Sequence, residues 1–329
     1  MPAELGRMEY VQVIGGFVLL LGGAEVLLRG SVAIARRLQI STLVIGMTIV
    51  AFGTSLPELV VSLDAAFSGS PDIAVGNIVG SNVANLLLII GVSGLVLPIA
   101  ARSNPLVRDG LTLLAVTLLF AALLWYGFVG REVGVALLVL LLAFLARSYW
   151  QETRGQSDVS AERLAQEAAE VGEITAATWI LWVAVVAGLA GVALGADLLV
   201  KGSVVLARAA GVSEAVIGLS LIAIGTSLPE LAASVVAALR GHSDIAVGNV
   251  VGSNLFNMLC VGGGVAVAAP FHVAEQIQTF DVWVMLAATL AFMPFLLARV
   301  RFGRMMGALF LVAYVGYMAV LFIGPSNVF

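Results

Sequence analysis

Gly53-Thr54-Ser55-Leu56-Pro57-Glu58-Leu59 and Gly225-Thr226-Ser227-Leu228-Pro229-Glu230-Leu231 are the same seven residues, written twice inside apolar sequence. Just downstream, DIAVGNIVGSN (72–82) returns as DIAVGNVVGSN (244–254). Both pairs lie 172 residues apart, and the same offset carries Glu25 onto Asp197, Arg29 onto Lys201 and Gly30-Ser31 onto Gly202-Ser203. Ile45-Gly46 likewise falls on Ile217-Gly218. A gapless correspondence of this length is the mark of an internal duplication.

The surroundings of the repeats say what solvent they sit in. Of 329 residues, 61% are hydrophobic and 11% charged, and the mean hydropathy is +1.09. A soluble domain needs more polar surface than that, so most of the chain faces lipid. A helix needs ~20 apolar residues to span the hydrocarbon core. The apolar runs here are long and continuous, not the short alternating segments of a membrane barrel. Spans are expected near 10–36, 40–68, 72–97, 104–128 and 130–150, and again near 174–208, 212–240, 244–269, 278–298 and 304–324.

Five spans per copy is an odd number, so the second copy must enter the membrane upside down. The expected fold is an all-α polytopic membrane protein with ten transmembrane helices arranged as two inverted five-helix repeats, a plan of many secondary transporters. The first repeat would occupy residues 1–150 and the second 174–329, joined by a linker over 151–173. That linker is the one long polar stretch, with Glu152, Arg154, Asp158, Glu162, Arg163, Glu167, Glu170 and Glu173. A short amphipathic helix is expected there around 160–171, capped by Ser160.

Basic residues set the orientation. With the amino terminus outside, the inner side collects Arg36, Arg37, Arg102, Arg108, Arg147, Arg154, Arg163, Arg240, Arg299, Arg301 and Arg304. The outer side keeps Arg7, Arg131, Lys201 and Arg208, and the last two fall inside a long sixth span. This bias places both termini outside and the linker in the cytoplasm, in an inner (plasma) membrane. Residues 1–10 lack the basic start and cleavage site of a signal peptide, so the first apolar run is expected to stay as a span. No basic tract points to nucleic acid.

The repeated heptad is a poor sequence for a straight helix. Pro57 and Pro229 cannot donate a backbone hydrogen bond, and Gly53 and Gly225 loosen the same turn. A break at membrane depth is tolerated only where its freed carbonyls face protein or a polar cavity. Paired breaks in two halves point to a transporter's binding site. Into each break the sequence puts hydroxyls (Thr54, Ser55, Thr226, Ser227) and one carboxylate (Glu58, Glu230). A lone charge at the bilayer centre costs at least ~2.5–3.5 kcal/mol and is retained for a function. Two such carboxylates brought together repel unless protonated or bridged by cations. Their summed charge matches one divalent ion, and calcium accepts about 6–8 oxygens in flexible geometry.

The third span of each half adds Ser81 and Asn85, then Ser253 and Asn257, each pair one turn apart on one helix face. Glycines 76, 80, 248 and 252 recur every fourth residue, a spacing that allows close helix approach. Structural alternatives remain at these positions. Hydroxyls in a break can simply satisfy freed backbone groups, and asparagines can join helices. Glu25 with Arg29 and Asp197 with Lys201 read as ordinary ion pairs.

At these residues the chain resembles the sodium/calcium exchanger family of cation/calcium antiporters, especially its short prokaryotic members. The duplicated GTSLPE and GNxVGSNxxN motifs carry the resemblance, and their spacing extends it over nearly the whole chain. It implies four cation sites clustered at the midplane, with Glu58 and Glu230 binding calcium and also touching sodium. It implies oxygen ligands from Thr54, Ser55, Thr226 and Ser227, backbone carbonyls of Ala51 and Ala223 for sodium, and Ser81 and Ser253 among the sodium ligands. It also implies that the first and sixth helices slide across a rigid core. Some relatives carry aspartate where this chain has Asn257, so two carboxylates stand here in place of three, which argues against potassium co-transport. Proton-coupled calcium exchangers share the plan, which leaves the driving ion open.

Other classes fit less well. A channel pore is usually a ring of subunits. An enzyme would need a catalytic set, and beyond the carboxylates the chain offers only His242, His272 and Cys260, with neither a zinc-protease motif nor a phosphate loop. The expectation is therefore a transporter of calcium and sodium in a lipid bilayer, with no cofactor and no protein partner.

Overall fold

The computed structural model describes residues 2–38, 42–98, 104–154, 177–209, 223–298 and 300–323. Most of the linker, with its expected helix near 160–171, lies outside these residues, as does the first part of the span expected near 212–240.

The described chain is almost wholly helical. Helix α1 runs Pro2–Leu38, and α2 (Gly46–Thr54) and α3 (Leu56–Phe67) form a pair bent by 46° at the break between them. Then come α4 (Pro71–Val96), α5 (Asn104–Tyr126) and α6 (Arg131–Arg154). The second half contains α7 (Thr178–Ala209), α8 (Ala223–Thr226), α9 (Leu228–Leu239), α10 (Ser243–Ala268), α11 (Ile277–Leu297) and α12 (Arg304–Ile323). Seven of these helices are long and apolar enough to cross a membrane, eight if the bent α2–α3 pair is one span. This is a membrane protein with multiple spans.

The two long helices α1 and α7 lie antiparallel in contact along their length, and glycine makes this possible. A Cβ on Gly16 would stand 2.6 Å from Leu199 N and 2.8 Å from Gly195 O; one on Gly188 would stand 2.5 Å from Leu27 N. Gly195 would meet Leu20 N at 2.4 Å and Gly23 would meet Val192 N at 2.6 Å. Only small residues allow backbones this close. The contacts are reciprocal under the 172-residue offset: Gly30 faces Val185, and Gly202 faces Val13. The pair therefore has a local twofold arrangement inherited from the duplication.

The remaining spans form the main core. Buried side chains of α4, α5, α6, α10, α11 and α12, among them Ile78, Leu86, Phe120, Leu255, Met285 and Phe310, make one continuous apolar cluster. No residue of α1 or α7 belongs to it. Those two helices join separate, smaller clusters with α9 and the region of α2. At one end of the molecule, β1 (Phe128–Val129) pairs antiparallel with β2 (Phe271–His272), so the α5–α6 and α10–α11 turns meet on the same face. His272 sits in this small ribbon with its ring 4.9 Å from that of Phe128.

Candidate functional site

The break in each repeat falls on a serine. Ser55 has φ −85 and ψ 4, and Ser227 has φ −91 and ψ 4, which ends one helix and starts the next. Pro57 and Pro229 then occupy the first turn of α3 and α9. In that position the missing N–H costs nothing and the fixed φ suits the helix. The prolines thus start helices, where the sequence had suggested an interruption within one. Gly53 and Gly225 serve packing as much as flexibility: a Cβ would come within 2.3 Å of Leu189 on α7 and within 2.5 Å of Val200 on α7, respectively.

This geometry puts Glu58 and Glu230 in the first turn of a helix, where unpaired backbone N–H groups and the helix dipole favour negative charge. Both are fully buried. The two repeats cross at the carboxylates: Ser55 Oγ donates to Glu230 Oε1 at 2.9 Å, and Ser227 Oγ donates to Glu58 Oε1 at 3.4 Å. Glu58 Oε2 and Glu230 Oε2 have no partner. The crossing bonds bring the two carboxylates together, and among the described residues no lysine, arginine or histidine forms an ion pair with either.

Around them the described residues supply oxygen. Thr54 Oγ1 lies 3.4 Å from Asn249 Oδ1 and 3.3 Å from the Ala51 carbonyl, which also accepts the Ser55 N–H at 3.0 Å. Ser253 Oγ sits beside Glu230 but meets no partner in hydrogen-bond geometry. Ser81 is buried and Thr226 half-buried at matching positions of the other repeat elements. The Ala223 backbone opens α8, and Ser227 N–H reaches the Ile224 carbonyl at 3.1 Å. Asn85 and Asn257 are fully buried, each at the start of a π-helical turn, Asn85–Ile89 and Asn257–Val261. Such turns recur at functional sites because they displace side chains and free backbone groups. Asn85 donates to Asn254 Oδ1 at 2.9 Å, so it joins helices through its nitrogen while its Oδ1 stays unpartnered; Asn257 has no partner at either amide atom.

Several polar residues at this site went unread in the sequence. Asn77 Nδ2 donates to Ser62 Oγ (3.0 Å) and to the Glu58 carbonyl (3.4 Å). Asn249 Nδ2 does the same to Ser234 Oγ (3.0 Å) and the Glu230 carbonyl (3.3 Å). These bonds pin α3 to α4 and α9 to α10 directly behind the carboxylates. The available signal was their polar identity at matching positions of both copies inside apolar spans. The close-packing role of glycine holds at Gly252, where a Cβ would meet the Met47 carbonyl at 2.5 Å. It does not hold among the described residues at Gly76 and Gly80, where nothing lies within 4 Å. The counterpart of Met47 for Gly80, Leu219, is outside them.

Glu25 and Asp197 are ion-paired as the spacing indicated, with Arg29 at 2.7 Å and Lys201 at 2.8 Å. Glu25 has a second cationic partner, Arg240, from the end of α9.

Comparison with known proteins shows what the chain is similar to. The sequence matches the family described as sodium/calcium exchanger protein in two blocks, residues 8–150 and 180–323. The blocks begin 172 residues apart, the offset of the duplication. A protein of Alkalimonas amylolytica named CaxA is 42% identical over 314 residues, covering 94% of this chain and 97% of that one. Inner membrane protein YrbG of Escherichia coli (strain K12) is 35% identical over 315 residues, covering 94% and 95%. Among solved structures, the sodium-calcium exchanger NCX_Mj superposes with a TM-score of 0.81 at 32% identity, covering 96% of this chain and 99% of that one.

Proposed function

The chain belongs to the sodium/calcium exchanger protein family, and we propose that it is a secondary antiporter exchanging calcium for sodium across an inner membrane. The observation that carries this reading is the crossing of the repeats at Ser55–Glu230 and Ser227–Glu58, with one bare, buried oxygen left on each glutamate. Two buried carboxylates brought together with no cationic side chain paired to them among the described residues call for a mobile cation. The uncharged hydroxyl and amide oxygens around them suit a hard ion with many ligands.

In this reading the chain has ten transmembrane helices in two inverted five-helix repeats, residues 1–150 and 174–329. The linker over 151–173 is cytoplasmic and both termini are outside. The antiparallel, reciprocal α1–α7 contact supports the inversion. Glu58 and Glu230 ligate calcium and also sodium. Thr54, Ser55, Thr226, Ser227, Ser81, Asn85, Ser253 and Asn257 add side-chain oxygens, and Ala51 and Ala223 add backbone carbonyls for sodium.

Exchange then follows from mutual exclusion. One calcium or several sodium ions neutralise the glutamates, and only a neutral core lets the apolar α1–α7 pair move across it. An empty, doubly charged site facing those helices is penalised, so return without cargo is blocked. The separate apolar clusters of α1 and α7 suit such a movement, because the pair is not built into the main core.

The test is calcium uptake into sodium-loaded vesicles diluted into sodium-free buffer, repeated with a pH gradient and no sodium. Uptake driven by sodium supports the reading. Uptake driven only by the pH gradient replaces sodium with protons, and no uptake under either gradient refutes calcium exchange.

A further inference from the structure

Asn82, Asn85 and Asn254 form a line of buried amides whose direction is set by one main-chain atom. Asn254 Nδ2 donates to the Asn82 carbonyl at 3.4 Å, and Asn85 Nδ2 donates to Asn254 Oδ1 at 2.9 Å. A backbone carbonyl only accepts. Asn254 must therefore turn its NH2 group toward Asn82, which leaves its oxygen facing Asn85. Asn85 in turn must present its own NH2 group, and its Oδ1 is left over. That oxygen is buried and has no hydrogen-bond partner.

The repeat-related line is not built. It would run from Asn257 to Asn82 Oδ1, and from Asn82 Nδ2 to the Asn254 carbonyl. Asn82 Nδ2 instead donates to the Ile78 carbonyl one turn back, at 2.7 Å. Asn82 Oδ1 accepts nothing, and both amide atoms of Asn257 are without a partner. Two asparagines identical in the sequence repeat are thus held differently. The amide of Asn85 is oriented by the protein, and that of Asn257 is not.

Resting on the exchanger reading above, we propose that Asn254 is a positioning residue for cation binding. It holds Asn85 Oδ1 toward the ions, so this ligand is an oxygen whatever occupies the site. Asn257 takes its orientation from the bound ion. An unheld amide presents its NH2 group to the cation in one of its two orientations, which is repulsive, so the hold on Asn85 strengthens binding without touching the ion.

The experiment compares calcium KM and maximal rate of sodium-driven uptake in four reconstituted variants: Asn254→Leu, Asn82→Leu, Asn85→Asp, and Asn254→Leu combined with Asn85→Asp. Loss of one orienting hydrogen bond in Asn254→Leu is expected to raise the calcium KM about five- to tenfold, with the maximal rate changed by less than about twofold. Asn82→Leu keeps the main-chain carbonyl that directs the line, so its KM should move by less than about twofold. A carboxylate has an oxygen at either end. In the Asn85→Asp background, adding Asn254→Leu should therefore alter KM by less than about twofold, a non-additive cycle. If Asn254 only packs helices, Asn254→Leu and Asn82→Leu will lose folded protein and maximal rate alike, with no relief from Asn85→Asp, and the proposal is overturned. Should leucine not be accommodated, Asn254→Ala removes the same acceptor in a smaller volume and carries the same comparison. Absence of uptake by the unaltered protein would overturn the exchanger reading and this inference with it. Normal uptake with an unchanged KM in Asn254→Leu would overturn the inference alone.

Discussion

Arg240, at the end of α9, grips Glu25 on α1 with two nitrogens, Nη2 at 2.6 Å from Oε1 and Nε at 3.0 Å from Oε2. The counterpart of Glu25, Asp197, pairs with Lys201. The counterpart of Arg240 is Ser68, which has no charge to offer. Among the described residues, one side of the molecule therefore carries a tie between α1 and the core helices that has no counterpart on the other. If α1 slides during exchange, this tie must break once per cycle. A partly exposed ion pair is worth roughly 0.2–1 kcal/mol, so Arg240→Gln should raise turnover by up to about fivefold. Added choline chloride should speed the unaltered protein toward the variant and leave the variant unchanged. Identical salt dependence in the two would show that the tie plays no part in the cycle.

Glu58→Gln and Glu230→Gln should each abolish sodium-driven calcium uptake while leaving the protein monodisperse in detergent. Removing one charge of a crowded, buried pair relieves repulsion, so folding should not suffer. It also leaves a single negative charge facing a divalent ion. Calcium uptake at the unaltered rate in either variant would remove that carboxylate from the site.

The two serine–carboxylate bonds are unequal, 2.9 Å for Ser55–Glu230 and 3.4 Å for Ser227–Glu58. A short bond to a charged group contributes more than a long one. Ser55→Ala should therefore disturb calcium binding more than Ser227→Ala. A hydrogen bond to a charged group is worth ~1.5–3 kcal/mol, so about a tenfold rise in KM is expected for Ser55→Ala and about threefold or less for Ser227→Ala. Equal effects would mean that the two halves equalise once ions bind.

Much of this site was legible in the sequence because duplication doubles every signal. GTSLPE at two places 172 residues apart marks the breaks, the carboxylates and the hydroxyls. What the sequence could not supply was pairing across the repeats. That Ser55 serves the other repeat's glutamate is a matter of tertiary approach. So is the reach of Arg240 to Glu25, 215 residues away. Proline and glycine, the strongest local disruptors, signal the break, whereas the backbone departs at the serines between them and the prolines begin the helices that follow. The difference between Asn85 and Asn257 lies furthest from the sequence. Both belong to the same motif, and only the competition between the Ile78 carbonyl and the opposite repeat for the Asn82 amide separates them.

The α1–α7 contact separates two kinds of glycine, Gly22 of α1 outside it and Gly195 of α7 within it. A Cβ at Gly22 would meet nothing within 4 Å, whereas one at Gly195 would stand 2.4 Å from Leu20 N and 2.8 Å from Gly16 O. Backbone atoms cannot swing aside as a side chain can, so Gly195→Ala must push the two helices apart. Overpacking of this kind costs about 1–3 kcal/mol, and the melting temperature in detergent should fall accordingly. Exchange should also slow several-fold, because the separated pair no longer presents a single smooth surface to the core. Gly22→Ala should leave the exchange rate unchanged and stability unchanged or raised, since alanine is favoured over glycine in a helix by about 1 kcal/mol. If the two variants behave alike, the close approach of α1 and α7 is not what joins them during transport.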